Sequence, residues 1–437
     1  MTTDDVTVIR AARLIDGAGG PPLDAPVIVV RGTRIEHVLQ GEPPAAVTEG
    51  ARVLDLRGAT VLPGLIDMHV HLNMPGDGTP ADGWMREPDG VLGVRAAFAA
   101  QTALDAGITT VRDCGSRGDT VFGLRRALEL GYGRGARLVL SGAPITITGG
   151  HGHFLGGEAD GPEGLRHLVR SLVKKEADFI KVLGSGGGTA NTISWQPSFR
   201  PEEFTALIDE SHRLGRPITI HCLNAAAIKI AAESGADQIE HAGFILDEFG
   251  HQEYVPAVGD QLAAAGVAIT PTLAVGGYCV KVMLARESRT PAQDAFLARW
   301  ETMLDANLDQ LAQMHAAGVP VVAGTDAGWR FTPFDGLPEE LSLMVQAGLP
   351  AMDVIQAATS RAAAVMRRDH EIGTVKPGLT ADLIAVPGDP LRDMSTLRTL
   401  ELVMQGGVIQ GGRAAAGQPV PSGGVPAAAA LAGVTTG

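Results

Sequence analysis

Along "VLPGLIDMHVHL", residues 61–72, an apolar run ends in two histidines separated by one valine. In a β-strand residues i and i+2 share a face, so His69 and His71 point together while Val70 and Leu72 point away. Two imidazoles sharing one pocket suit a divalent metal, since imidazole is a common zinc ligand and paired ligands need matching directions. The plainer reading is a hydrogen-bonded polar pair at a strand end. Four further residues raise the same question: Lys181 in "DFIKVLG", His221 in "PITIHC", His241 in "QIEHAG" and Asp326 in "GTDAG". Singly they read as an ion-paired lysine, two satisfied core histidines and a helix-capping aspartate. Together, each at the end of a short apolar strand, they are better explained by a metal site.

The elements that must position them follow from the texture of the chain. From residue 60 to about 371, short apolar strands alternate with helical runs, the pattern of repeated βα units around a parallel sheet. Eight candidate strands can be counted: "LPGLIDMHVH", "ITTVRD", "ARLVLSG", "DFIKVL", "PITIHC", "QIEHA", "VAITPT" and "PVVAGTD". Helical runs such as "PEEFTALIDESHRLG" and "NAAAIKIAAESG" separate them and end in a capping glycine. Eight such units predict a (β/α)8 barrel, a fold that places chemistry where the strands end at the carboxyl face. His69, His71, Lys181, His221, His241 and Asp326 would then meet at one mouth.

Residues 1–58 and 372–414 differ, with β-branched alternation and glycine punctuation and no long amphipathic helix. They predict one small β-domain, a β-sandwich assembled from both termini around a barrel at 59–371. The segment 415–437, rich in Ala, Gly and Pro, is expected to be a partly ordered tail.

Composition narrows the function. Lysine plus arginine number 35 against 49 acidic residues, a net charge of -14 without a basic run, which argues against nucleic-acid binding. No stretch of about 18 uncharged apolar residues and no apolar leader is present, so no membrane partner and a cytoplasmic location are expected. Three separated cysteines, Cys114, Cys222 and Cys279, form no CxxC pair, which excludes a disulfide framework or a cysteine zinc cluster. Cys222 follows His221 and is turned away from its face.

Taken in order, "PGLIDMHVH", "FIKVLGSGGG", "ITIHC", "IEHAGF" and "GTDAG" resemble the amidohydrolase superfamily of metal-dependent hydrolases, and "TADLIAVPGDP" resembles its returning β-sandwich segment. The resemblance spans residues 5–412 and is closest to the branch with imidazolonepropionase-like enzymes, Xaa-Lys/Arg and Xaa-Pro dipeptidases and ochratoxin-type amidases. It implies two divalent ions, zinc first and manganese or cobalt as alternatives because nitrogen and oxygen ligands accept all three. His69, His71 and Asp326 would hold the more buried ion and His221 and His241 the more exposed one. Lys181, carrying carbon dioxide as N6-carboxylysine, would bridge both through its two anionic oxygens. A hydroxide between the ions would attack an amide-like carbonyl, with Asp326 as general base and then acid. The resemblance also implies a small-molecule substrate and a homo-oligomer.

Specificity is less legible. His151 and His153 lie in the glycine-rich "ITITGGHGHFLGG", where related enzymes use a histidine to hold substrate or stabilise the oxyanion; a solvated loop histidine is the alternative. The glycines of "GSGGGTANTISWQPSF" let backbone approach a ligand, and Trp195 there lines the pocket or plugs a gap. Arg330 is placed to grip a substrate carboxylate, whereas Asp247 and Glu248 read as exposed helix-start charges. The expected activity is hydrolysis of an N-acyl amino acid, dipeptide, carbamate or urea, with an Xaa-Lys/Arg or Xaa-Pro dipeptidase as the alternative. A deaminase is disfavoured by Lys181, and a non-catalytic metal-binding scaffold is the rival from another class.

Overall fold

The computed structural model describes residues 5–413; the segment 415–437, expected as a tail, lies outside them. The chain opens with β1 (Val6–Leu14), β2 (Leu23–Asp24), β3 (Pro26–Arg31), β4 (Arg34–Gln40) and β5 (Arg52–Pro63). A run of parallel strands follows: β6 (Leu65–Val70), β7 (Ile108–Asp113), β8 (Arg137–Leu140), β9 (Ile180–Leu183), β10 (Ile218–His221), β11 (Gln238–Glu240) and β12 (Ala268–Thr270). The chain returns through β13 (Leu383–Pro387), β14 (Leu402–Gln405) and β15 (Val408–Gly411).

Both ends of the chain share one eight-stranded sheet, ordered β15-β14-β13-β5-β1-β3-β4 with β2 on β1. Its pairs are antiparallel except the parallel β1–β5, and Ile9, Ile28, Leu54, Leu383 and Met404 pack into one apolar cluster on it. Strand β5 reaches Pro63, pairing with β13, and leads through Gly64 directly into β6.

The parallel strands form two sheets, β6-β7-β8 and β9-β10-β11-β12, buried on both faces as sequences such as "ITIH" and "IKVL" require. Isolated parallel bridges join their edges: Ile145 to Val182, Ile269 to Val321 and Val70 to Ala327. Seven of the eight expected strands are thus ladders. The eighth, "PVVAGTD", is no ladder: it has isolated bridges at Val321 and just beyond at Ala327 and backbone hydrogen bonds from Met68 N to the Ala323 carbonyl and from Asp326 N to the His69 carbonyl, and it ends in the left-handed Asp326 (φ 59°).

Helices between strands carry local signals. The helix Ala225–Glu233 begins at Asn224, whose side chain accepts from Ala227 N at 2.8 Å, and gives way to Gly235 at φ 90°. The helix Gly161–Lys174 buries Leu165, Val169 and Leu172, spaced to face the sheet. Among the described residues no helix is long and apolar enough to cross a membrane.

Candidate active site

At the carboxyl ends of these strands the expected residues meet. His69 is the penultimate residue of β6 and His71 follows the strand, Lys181 lies on β9, His221 closes β10, His241 follows β11, and Asp326 comes from the segment after Val321. All six line one cavity of about 380 Å³. His241 and Asp326 both have positive φ, 67° and 59°, a conformation that costs about 1 kcal/mol or more for such residues and is retained where it aims a functional side chain.

The imidazoles are oriented from behind. His69 Nδ1 donates to Glu240 Oε2 at 2.8 Å, and His71 Nδ1 donates to the Gly115 carbonyl at 2.8 Å. Both therefore turn an Nε2 lone pair into the cavity. These two nitrogens lie 3.4 Å apart, and Asp326 Oδ1 is 3.2 Å from that of His71 and 3.6 Å from that of His69. Three acceptors facing one another repel unless a cation or a proton lies among them. Two nitrogens at ~2.1 Å from one tetrahedral zinc would stand ~3.4 Å apart, so the donor set fits an ion. Ligand atoms of His69, His241 and Asp326 also fall within 4.8 Å of one another.

His221 and His241 form a second pair, ring centroids 4.5 Å apart. His221 donates from Nε2 to the Gly186 carbonyl at 3.2 Å, leaving Nδ1 as its free donor atom. His241 pairs Nδ1 with Thr272 Oγ1 at 2.8 Å and presents Nε2. Lys181 completes the set. Its side chain is buried, at 1% exposure, and its Nζ has no hydrogen-bond partner among the described residues.

Protonation follows burial and neighbours. Burial lowers His69 to about 4 and holds His221 and His241 well below the usual imidazole range, which keeps them neutral as ligands must be. His71 moves the other way: burial opposes the shift, but Asp326 beside it raises it. Burial would raise Asp326, yet the histidines around it, His69 foremost, hold it well below the usual carboxylate range.

A layer of residues behind the ligands is absent from the sequence reading. Glu240 is fully buried, hydrogen-bonded to Arg112 and to Thr219 Oγ1, and Arg112 also donates to Gln238 Oε1 at 2.7 Å and to the Met68 carbonyl at 2.7 Å. Asp67 accepts from His69 N at 3.1 Å, Thr325 N at 3.0 Å and Thr325 Oγ1 at 2.6 Å, tying β6 to the segment that carries Asp326. The signal available was a charged residue inside each apolar strand, in "TVRD", "QIEH" and "LIDM".

The substrate-contact expectations divide. His151 lines the cavity, its ring 4.9 Å from that of His221, with Nδ1 2.7 Å from Thr189 Oγ1; burial lowers it to about 4. Arg330 lines it too. His153 and Trp195 are not among the lining residues; His153 packs on Phe154 and Trp195 is half-buried in the loop before Phe199. Gly187 and Gly188 of "GSGGG" line the cavity, where their missing side chains leave room for His151 and Trp329: a Cβ on Gly187 would sit 2.6 Å from His151 Nε2 and one on Gly188 2.6 Å from the Trp329 ring. Asp247 does not start a helix: it accepts from Phe249 N and pairs with His251, and the next helix begins only at Pro256. Cys222 is buried, as expected.

The family model described as "Amidohydrolase family" matches residues 60–413, a span that includes all six converging residues. The chain belongs to the amidohydrolase family. Among its relatives, ochratoxinase from Aspergillus niger is 26% identical over 430 residues, covering 91% of this chain and 85% of that protein. An imidazolonepropionase from Rhizorhabdus wittichii is 27% identical over 415 residues, covering 86% of this chain and 91% of its own. Among solved structures, a Xaa-Pro dipeptidase with methionine bound in its active site superposes with a TM-score of 0.81 at 28% identity, covering 93% of this chain and 99% of that one. As an amidohydrolase, the chain is a hydrolase with mixed α/β architecture whose neighbours are of the TIM-barrel type.

Proposed function

We propose that this amidohydrolase is a binuclear, metal-dependent hydrolase of amide-type C–N bonds, its parallel strands closing a distorted (β/α)8 barrel and its terminal strands forming a β-sandwich beside it. The observation that carries the reading is Lys181, buried without a partner where two sets of ligand atoms converge. A bare amine gains nothing there, whereas a carbamate on Nζ offers one anionic oxygen to each set. His69, His71 and Asp326 would hold one ion and His221 and His241 the other. When bound, the ions supply Lewis acidity, acidifying water and polarising a carbonyl.

The chain's own residues account for the rest. Asp326, kept ionised, would accept the proton of the attacking water on its carboxylate and return it to the leaving nitrogen. Thr189 hydroxyl donating to His151 Nδ1 leaves the Nε2 proton facing the cavity, where it can donate to the oxygen on which negative charge develops. Phe154, Leu155 and Val275 exclude water from part of the wall. Ochratoxinase and the Xaa-Pro dipeptidase among the relatives support an amide or peptide bond as the target.

Metal content per chain on protein purified without chelators, with intact mass read for one added carbon dioxide, tests the proposal. Two divalent ions and the carbamate are expected, together with turnover in a screen of N-acyl amino acids, dipeptides, carbamates and ureas. One ion and a bare lysine would withdraw the bridge; tight metal without turnover on any amide would favour a binding scaffold.

A further inference from the structure

Beyond His151, whose ring lies 6.5 Å from that of Trp329, the cavity has a wall of a different character. The helix Pro291–Ala316 sends Phe296, Arg299, Trp300 and Met303 into it, at the three- and four-residue spacing of one helix face. Trp329 and Arg330 come from the segment after Asp326 and meet that stripe. Aromatic residues make up only 4% of the sequence, yet two of its four tryptophans stand here.

The guanidinium of Arg330 is packed among rings, its Cζ 5.3 Å from the Trp300 centroid, 5.6 Å from Trp329 and 5.9 Å from Phe296. Rings engage the faces of a guanidinium and leave its N–H edge. Among the described residues no carboxylate or carbonyl is hydrogen-bonded or ion-paired to that edge; the contacts of the Arg330 side chain are the three rings. Burial, and after it Arg299, works against its charge, while Cys279 and Asp326 act the other way without reversing the direction. Its backbone is held at φ 51°, a strained setting for arginine that fixes where the side chain starts. Two guanidinium groups that no carboxylate pairs with directly, Asp326 acting on Arg330 only through space, are complementary on this half-buried aromatic wall to a planar anion, which a guanidinium edge can take bidentately.

We infer that Arg330, assisted by Arg299 at the mouth, is a carboxylate-binding residue that selects amides bearing a free carboxylate and an apolar or aromatic body. The inference rests on the amide-hydrolase reading for the reaction but not for the binding. It separates the substrate classes left open above: N-acyl amino acids and dipeptides with a free carboxyl end meet the requirement, while neutral ureas and carbamates leave Arg330 unmatched. The scissile carbonyl would lie at the histidine end of the cavity and the carboxylate at the aromatic end.

The test uses the full-length protein with the metal it carries when purified, and two isosteric probes, 3-phenylpropionate and 3-phenylpropanamide, followed by tryptophan fluorescence. Wild type is expected to bind the acid at least tenfold more tightly than the amide, and Arg330→Asn, whose side chain tolerates positive φ, to erase that preference. Arg330→Lys, a point charge without the fork, should keep part of it, and Arg299→Gln should weaken it less because Arg299 is exposed. With an N-acyl amino acid found in the screen, Arg330→Asn should lower kcat/KM about 30- to 100-fold, mostly through KM. Equal binding of acid and amide by wild type overturns the inference whether or not the variants fold. So does an acid preference that survives Arg330→Asn and vanishes on chelation, since the carboxylate would then be sitting on the metal. Absence of amide turnover alongside an Arg330-dependent acid preference would instead remove the hydrolase reading and leave the anion site standing.

Discussion

At the scale of single residues, the centre is legible by type but its tuning is not. His69, His71, His221, His241 and Asp326 announce themselves by position on apolar strands, because a polar residue ending such a strand needs a reason. Glu240 did not, although it orients His69, because the two are 171 positions apart and only the fold joins them. Lys181 yields the sharpest prediction. With no partner for its Nζ, the lysine destabilises the metal-free fold relative to an apolar side chain of similar length. Lys181→Met should therefore raise the melting temperature of chelated protein, by a stability gain on the order of 2 kcal/mol. In metal-loaded protein the order should reverse, because the variant cannot bridge. Thermal melts of both proteins with and without chelator read this directly. A variant less stable than wild type in both states would mean that Lys181 has a structural partner.

Among the elements, strands were read more completely than the segments that leave them. Period-two and all-apolar runs identify β6 to β12, since those residues have no other way to be buried on both faces. "PVVAGTD" carries the same apolar signal, yet it forms isolated bridges and no ladder, and ends in the left-handed Asp326. The helix Pro291–Ala316 hides its role because its inward stripe mixes aromatic and charged residues, so no apolar periodicity marks it as a cavity wall. Glu340, fully buried in the first turn of the helix Leu337–Gln346, makes an element-scale prediction. Its Oε2 accepts from Ala274 N at 2.6 Å at the start of the next-door helix Ala274–Leu284, while Oε1 has no hydrogen-bond partner among the described residues. Burial raises its pKa to about 8 from an ordinary 4.5. The folded state thus keeps a proton that the unfolded chain loses, so between about pH 4.5 and 8 this group reduces stability as pH rises, by up to about 1.4 kcal/mol per unit. Glu340→Gln retains an acceptor for Ala274 and cannot ionise. Its melting temperature should gain on wild type steadily from pH 5 to 8 and level off above; a constant difference across that range would show that Glu340 does not titrate there.

For the molecule as a whole, the question is how the terminal sheet and the parallel strands share stability. Asp382 stands at their seam, just before β13. Its Oδ2 meets Arg137 Nη1 at 2.5 Å at the start of β8, its Oδ1 accepts from Gly406 N at 2.7 Å, and its carbonyl accepts from Gly64 N at 2.8 Å. Arg137 and Asp382 are 245 positions apart, so each is anonymous in the sequence and the seam is visible only in the fold. Removing one partner of a largely buried pair strands the other, so Asp382→Ala should cost about 3 kcal/mol. On the proposed function, metal would act elsewhere, at strand ends distributed over β6, β9, β10 and β11, and would stabilise only the folded state, by about 2.7 kcal/mol at a free-ion concentration 100 times Kd. Sites that share no residues contribute additively. Chelation should therefore lower the melting temperature of wild type and of Asp382→Ala by the same amount, and should not lower that of Lys181→Met comparably. A larger chelation effect in Asp382→Ala would mean that the seam transmits strain to the ligand strands, making the terminal sheet part of the metal centre's support rather than a neighbour to it.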